Sequence, residues 1–230
     1  MTIKWQPIER VMRELYADLG IDDKYVSDID YLKKSFDFTE ELWWSQLDRM
    51  TDIKVVMLSE APLFGPKQTY IYNPKTSPSA FFHFNDLSAL LDKKILSFQF
   101  DSVVAKKSFL IDCLAENGLL VLDLFPYALN PKITQINFRT IPKTLYRQLL
   151  FETESVYLRP KIEAILSKSK PVFVYRYKKL ADKTNRFMED ELKQMKLIEN
   201  DGKLTCVGGT NMSIDRDKLG KYFRQRSFIK

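Results

Sequence analysis

Four short runs of β-branched and aliphatic residues constrain this chain more than any other feature: Ile53 to Leu58, Leu119 to Leu124, Val172 to Arg176 and Leu204 to Val207. Each has the length and composition of a strand. Between them lie segments with helical spacing: Phe84 to Leu91, Ser102 to Asn117, Ile141 to Ser167 with a break, and Lys179 to Leu197. Strands separated by helices pair in parallel, because the connection must cross the sheet, and the helices then cover both faces. The expected fold is α/β, a three-layer α/β/α arrangement around a central four-stranded, mainly parallel sheet.

Before about residue 51 the period is helical. Ile8, Val11, Met12, Leu15 and Leu19 recur at three- and four-residue spacing, and Asp37-x-x-Glu40 has the form of a capping box ahead of a second helix carrying Leu42, Trp43 and Leu47. Residues 1–50 are therefore expected to form a helical segment packed on the core, and residues 51–230 the α/β domain.

Composition removes several function classes. With 45% hydrophobic and 29% charged residues the chain can bury a core, so disorder is excluded as its main state. The longest apolar run, Gly118 to Phe125, contains Asp123 and is far short of the ~20 residues of a membrane span. The N-terminal residues lack a secretory h-region, so a cytoplasmic location is expected. Cys113 and Cys206 are too few for a zinc ribbon, and His83 is the only histidine, which excludes a multi-histidine metal site. No cofactor is expected. Thirty-six basic residues against thirty acidic ones give a net charge of +6, which favours an anionic partner. The basic residues cluster at Lys178, Lys179, Lys183 and Arg186, and again at Arg216, Lys218, Lys221, Arg224 and Arg226.

Ligands of parallel sheets bind beyond the carboxyl ends of the strands. Four segments fall there: Ser59-Glu60-Ala61-Pro62, Asp123 to Tyr127, Tyr175-Arg176-Tyr177-Lys178, and Gly208-Gly209-Thr210-Asn211-Met212-Ser213. They bring together two carboxylates, several aromatics, a glycine pair before a helix, and basic residues.

The first of these segments resembles the first motif of the uracil-DNA glycosylase superfamily. One branch carries Gly-Glu-Ala-Pro-Gly where this chain has Ser59-Glu60-Ala61-Pro62-Leu63. Another carries Gly-Gln-Asp-Pro-Tyr-His-Gly-Pro-Gly-Gln, of which Pro62, Gly65, Pro66 and Gln68 are retained. The family's last motif, His-Pro-Ser-Pro, aligns with Gly208-Gly209-Thr210-Asn211. The likeness spans about Ile53 to Phe223 in element order.

The resemblance implies a flipped nucleotide, an aromatic platform for its base, a group that reads the base, and a carboxylate near the sugar. Glu60 is then the catalytic carboxylate; read alone, it equally caps a turn after a buried strand. Asp123 stands where uracil-excising members have asparagine. An ionised carboxylate only accepts hydrogen bonds, so it favours the exocyclic amino group of cytosine over the O4 of uracil. A protonated Asp123 would donate instead, given burial that raises its pKa; otherwise it caps the turn before Pro126. The resemblance implies Tyr72 as the stacking platform, because it follows the first motif at nearly the family's spacing, with Phe82 in competition, although most aromatics in such a chain are core. The family histidine is replaced by Gly208. Asn211 and the amides of Gly208, Gly209, Thr210 and Ser213 are left to bind the base or a phosphate, or the loop merely starts a helix.

Lys178, Lys179 and Arg216 would contact the DNA backbone, or form solvated helix faces paired with Asp215 and Asp217. The leading expectation is a monomeric, monofunctional DNA glycosylase for a non-uracil base such as a modified cytosine, serving repair or defence against phage. The alternatives are a catalytically inactive DNA-binding module of the same fold, and a small-molecule binding or transferase domain.

Overall fold

The computed structural model describes residues 3–77, 99–208 and 214–226. Four strands form one sheet: β1 (Val55–Ser59), β2 (Leu119–Asp123), β3 (Val172–Tyr175) and β4 (Thr205–Cys206). All pair in parallel, in the order β2-β1-β3-β4. Every residue of β1 and β2 is buried, as a sheet covered by helices on both faces requires. The three-layer α/β/α expectation is met.

The helices are α1 (Trp5–Asp18), α2 (Asp22–Arg49), α3 (Val103–Glu116), α4 (Lys143–Thr153), α5 (Arg159–Leu166), α6 (Lys178–Gln194) and α7 (Arg216–Arg226), with a π-helical turn at Glu154–Leu158 joining α4 to α5. That turn is the break expected within Ile141 to Ser167. Ser102 caps α3 by accepting from the Ala105 N–H. Gly118 ends α3 at φ +72° and sits where a Cβ would lie 3.0 Å from Asp52 O and Lys54 N. Its carbonyl accepts from the N–H groups of Lys54 and Val55, which sets the start of β1 beside β2. The expected helix at Phe84 to Leu91 lies outside the described residues.

One expectation fails here. Helix α2 is a single rod of 28 residues, and no second helix starts at Asp37. Asp37 instead pairs with Lys33 one turn back, and Glu40 does not reach for a backbone N–H. Glu40 is buried, accepts from Trp44 Nε1 at 3.0 Å, and forms an ion pair with Lys161 of α5. Lys161 is 1% exposed. Its ammonium also lies 2.9 Å from the Tyr157 hydroxyl and 4.2 Å from the centroid of the Trp43 ring.

Helix α2 also closes an edge of the sheet. Strand β2 is terminal, so the N–H and C=O of Val121 face away from β1. Trp43 Nε1 donates to that carbonyl at 2.9 Å, and the Tyr72 hydroxyl accepts from the N–H at 2.6 Å. Both backbone groups of Val121 on this edge are thus satisfied by side chains.

Candidate functional site

The strand order reverses between β1 and β3, because the chain leaves β1 towards β2 and leaves β3 towards β4. The crevice beyond the carboxyl ends of these two strands is where a ligand is favoured. Glu60 follows β1 at this point, and Arg176 and Tyr177 follow β3. Backbone bonds extend the sheet past its formal end: Arg176 N–H donates to Leu58 O, and Phe125 N–H to Glu60 O, both at 3.0 Å.

The Glu60 side chain is held from two sides. Its Oε1 accepts from the Tyr146 hydroxyl of α4 at 3.0 Å and from Lys183 Nζ of α6 at 3.2 Å. Burial, and then the charge of Glu60, raise the pKa of Tyr146 far above that of a free phenol, so it remains a donor throughout the physiological range. Lys183 Nζ sits 4.7 Å from the centroid of the Tyr146 ring, which adds a cation–π contact to the ion pair.

Tyr146 and Lys183 form part of the wall of a 330 Å³ cleft, a volume within the ~300–1,000 Å³ usual for small-molecule sites. Phe138, Ile141 and Tyr146 supply its apolar surface, and Arg139, Lys143, Arg147 and Lys183 outnumber Asp182 in charge. One face of Phe138 stacks on Phe125 at 4.9 Å between centroids, and Tyr146 meets Phe125 edge-on at 5.2 Å. Phe138 is thus a braced ring beside a cationic rim. Glu60 stands one hydrogen bond behind this wall, with its side chain 23% exposed.

The other expected residues fare differently. Tyr72 is not a stacking platform: it is 3% exposed and its hydroxyl is bound to Val121, so its ring belongs to the core. Asp123 is opposite Ser59 in the β1–β2 register, adjoining Glu60, but is 2% exposed and does not line the cleft. Its Oδ1 has no hydrogen-bond partner among the described residues. Burial pushes its pKa from 3.8 up to about 6, against the pull of Lys161 and Arg176. The direction is the one a neutral, donating Asp123 requires, yet a value of about 6 leaves it mostly ionised at pH 7.

Gly208 joins the site structurally. A Cβ there would lie 2.8 Å from Tyr177 Cα and 2.9 Å from Arg176 O, and its N–H points at Cys206 Sγ, 3.4 Å away, not at an open phosphate site. Lys178 and Lys179 are exposed at the start of α6, the helix that carries Lys183, and Arg216 is exposed at the start of α7. Lys218 pairs with Asp215 at 3.4 Å, as the local spacing implied. Phe82, Gly209, Thr210, Asn211 and Ser213 lie outside the described residues. The turn from Pro62 to Lys67 borders a separate groove of 540 Å³ with Ala128 to Lys132, anchored on α2 by the Gly65 N–H to Tyr31 hydroxyl bond of 3.1 Å.

Sequence reading missed Phe138, Arg139, Lys143, Tyr146 and Arg147. They occupy a loop and the first two turns of α4, with no motif to mark them. Among the described residues no cluster of His, Cys, Asp or Glu is arranged to hold a metal ion, and no helix is long and apolar enough to cross a membrane. No protein-family model, curated protein or solved structure matches this chain.

Proposed function

We propose that this chain is a DNA glycosylase that hydrolyses the N-glycosidic bond of a flipped, non-uracil base. The observation that carries the reading is the Glu60 carboxylate, fixed by Tyr146 and Lys183 directly behind a cleft with an aromatic wall and a cationic rim. Phosphates of the extruded nucleotide meet Arg139, Lys143 and Arg147, and its base lies along Phe138, a stack worth ~1–3 kcal/mol. Glu60 orients a water molecule towards C1′. As the C1′–N bond breaks, the water oxygen bonds to C1′, its proton passes to Glu60, and the bonding pair leaves with the base. The carboxylate also stabilises positive charge growing on the sugar. The resemblance at Ser59 to Gln68 supports the same assignment of Glu60.

The test is a panel of oligonucleotides, each carrying one modified base, followed by alkaline cleavage of abasic sites. Glu60→Gln should lower turnover by about 10²–10⁴-fold with binding largely retained. Salt-sensitive binding with no product across the panel would leave a DNA-binding module. Absence of binding even at low salt would remove DNA from consideration.

A further inference from the structure

A lysine that touches the proposed catalytic carboxylate and also faces the cleft has more to offer than a counter-charge. Lys183 Nζ lies 3.2 Å from Glu60 Oε1, and the side chain is 43% exposed towards the cleft that Phe138 and Arg139 also line. Hydrolysis of a glycosidic bond leaves a deoxyribose whose ring-opened form presents an aldehyde at C1′. That carbon would emerge where Glu60 had aimed the water, which is within reach of the group bonded to Glu60.

We propose that Lys183 is a nucleophile towards the C1′ aldehyde of abasic DNA and captures it as an imine. The inference rests on the glycosylase reading for the origin of the aldehyde, but the amine chemistry stands on the Lys183–Glu60 pair alone. The balance is simple. Glu60 takes a proton from the Lys183 ammonium, and the freed nitrogen lone pair bonds to C1′ as the carbonyl π pair moves to oxygen. Glu60 returns its proton to that oxygen and then carries a second proton from the nitrogen to it, so that the oxygen leaves as water with the C–O bonding pair and the nitrogen lone pair closes a protonated imine. The cation is restored beside an ionised Glu60, so the pair ends in the charge state in which it began. Tyr146 positions both partners, by its hydroxyl bond to Glu60 and by its ring beneath Lys183.

The probe is an oligonucleotide that already contains an aldehydic abasic site, in single-stranded and duplex form, incubated with the full chain and sodium borohydride. A reduced protein–DNA adduct should form, and peptide mass mapping should place it on Lys183. Lys183→Arg, at a partly exposed position that keeps its charge, should lose the adduct. Lys203→Arg, far from the cleft in sequence and exposed, should keep it. Glu60→Gln should slow its formation. No adduct with the wild type, an adduct mapped to other lysines, or an adduct undiminished in Lys183→Arg would each overturn the proposal. Because the abasic site is supplied, a chain that releases no base from any intact oligonucleotide can still trap it, which separates this inference from the glycosylase reading.

Discussion

Replacing Asp123 by asparagine should make the protein more stable at neutral pH. The carboxyl ends β2 in a fully buried position, and its pKa stands at about 6 against 3.8 for an unperturbed aspartate. Burial raises it by more than the attraction of Lys161 and Arg176 lowers it, so the net effect of the site is to disfavour the charge. Between these two values the native state binds more protons than the unfolded chain. Stability therefore falls as pH rises through the window, and above it the ionised group costs about 3 kcal/mol, at 1.36 kcal/mol for each pKa unit. Asparagine has the same shape and never ionises. Asp123→Asn should gain up to about 3 kcal/mol at pH 7, or about 6–12 °C in Tm for a chain of this size, and should match the wild type below about pH 4. Thermal and urea unfolding of both proteins across this range measures the difference. Equal or lower stability of the variant at pH 7, or the same loss of stability in both proteins between pH 4 and 6, would refute the reasoning.

Tyr72→Phe removes the acceptor for the Val121 N–H on the edge of the sheet and should cost about 1–3 kcal/mol in urea unfolding. DNA binding should be unchanged, whereas a true stacking residue would keep binding only because its ring is retained and would fail as Tyr72→Leu with little loss of stability. Gly208→Ala drives a methyl against the backbone of Arg176 and Tyr177 and should destabilise by about 1–3 kcal/mol, measured in the same way.

The strands were legible because buried parallel strands are nearly uniform in chemistry. Val55 to Leu58 and Leu119 to Leu122 cannot be polar on either face, and that shows in one dimension. The unity of α2 was not. Asp37 and Glu40 have a capping-box spacing, and only three dimensions reveal that Glu40 is committed to Lys161, 121 positions away. Glu60 was legible because a strand end fixes its place, whereas Lys183 was visible only as one member of a basic cluster whose expected contacts fell to Lys178 and Lys179. Tyr146 was not, since its bond to Glu60 spans 86 positions and an aromatic on a helix reads as core. Phe138 shared that difficulty: nothing distinguishes it from the chain's other phenylalanines until Phe125 is seen at its back. Tyr72 was misread for the converse reason, as its distance from Glu60 in sequence says nothing about the edge strand that its hydroxyl seals.

The bond between Glu40 and Lys161 makes the first fifty residues impossible to dissect away. A fragment beginning at residue 51 would leave an ammonium group in the interior without its counter-ion, next to Asp123, and would unzip the outer margin of β2 where Trp43 had closed it. What looks along the sequence like a leading appendage is the keel on which the sheet is built.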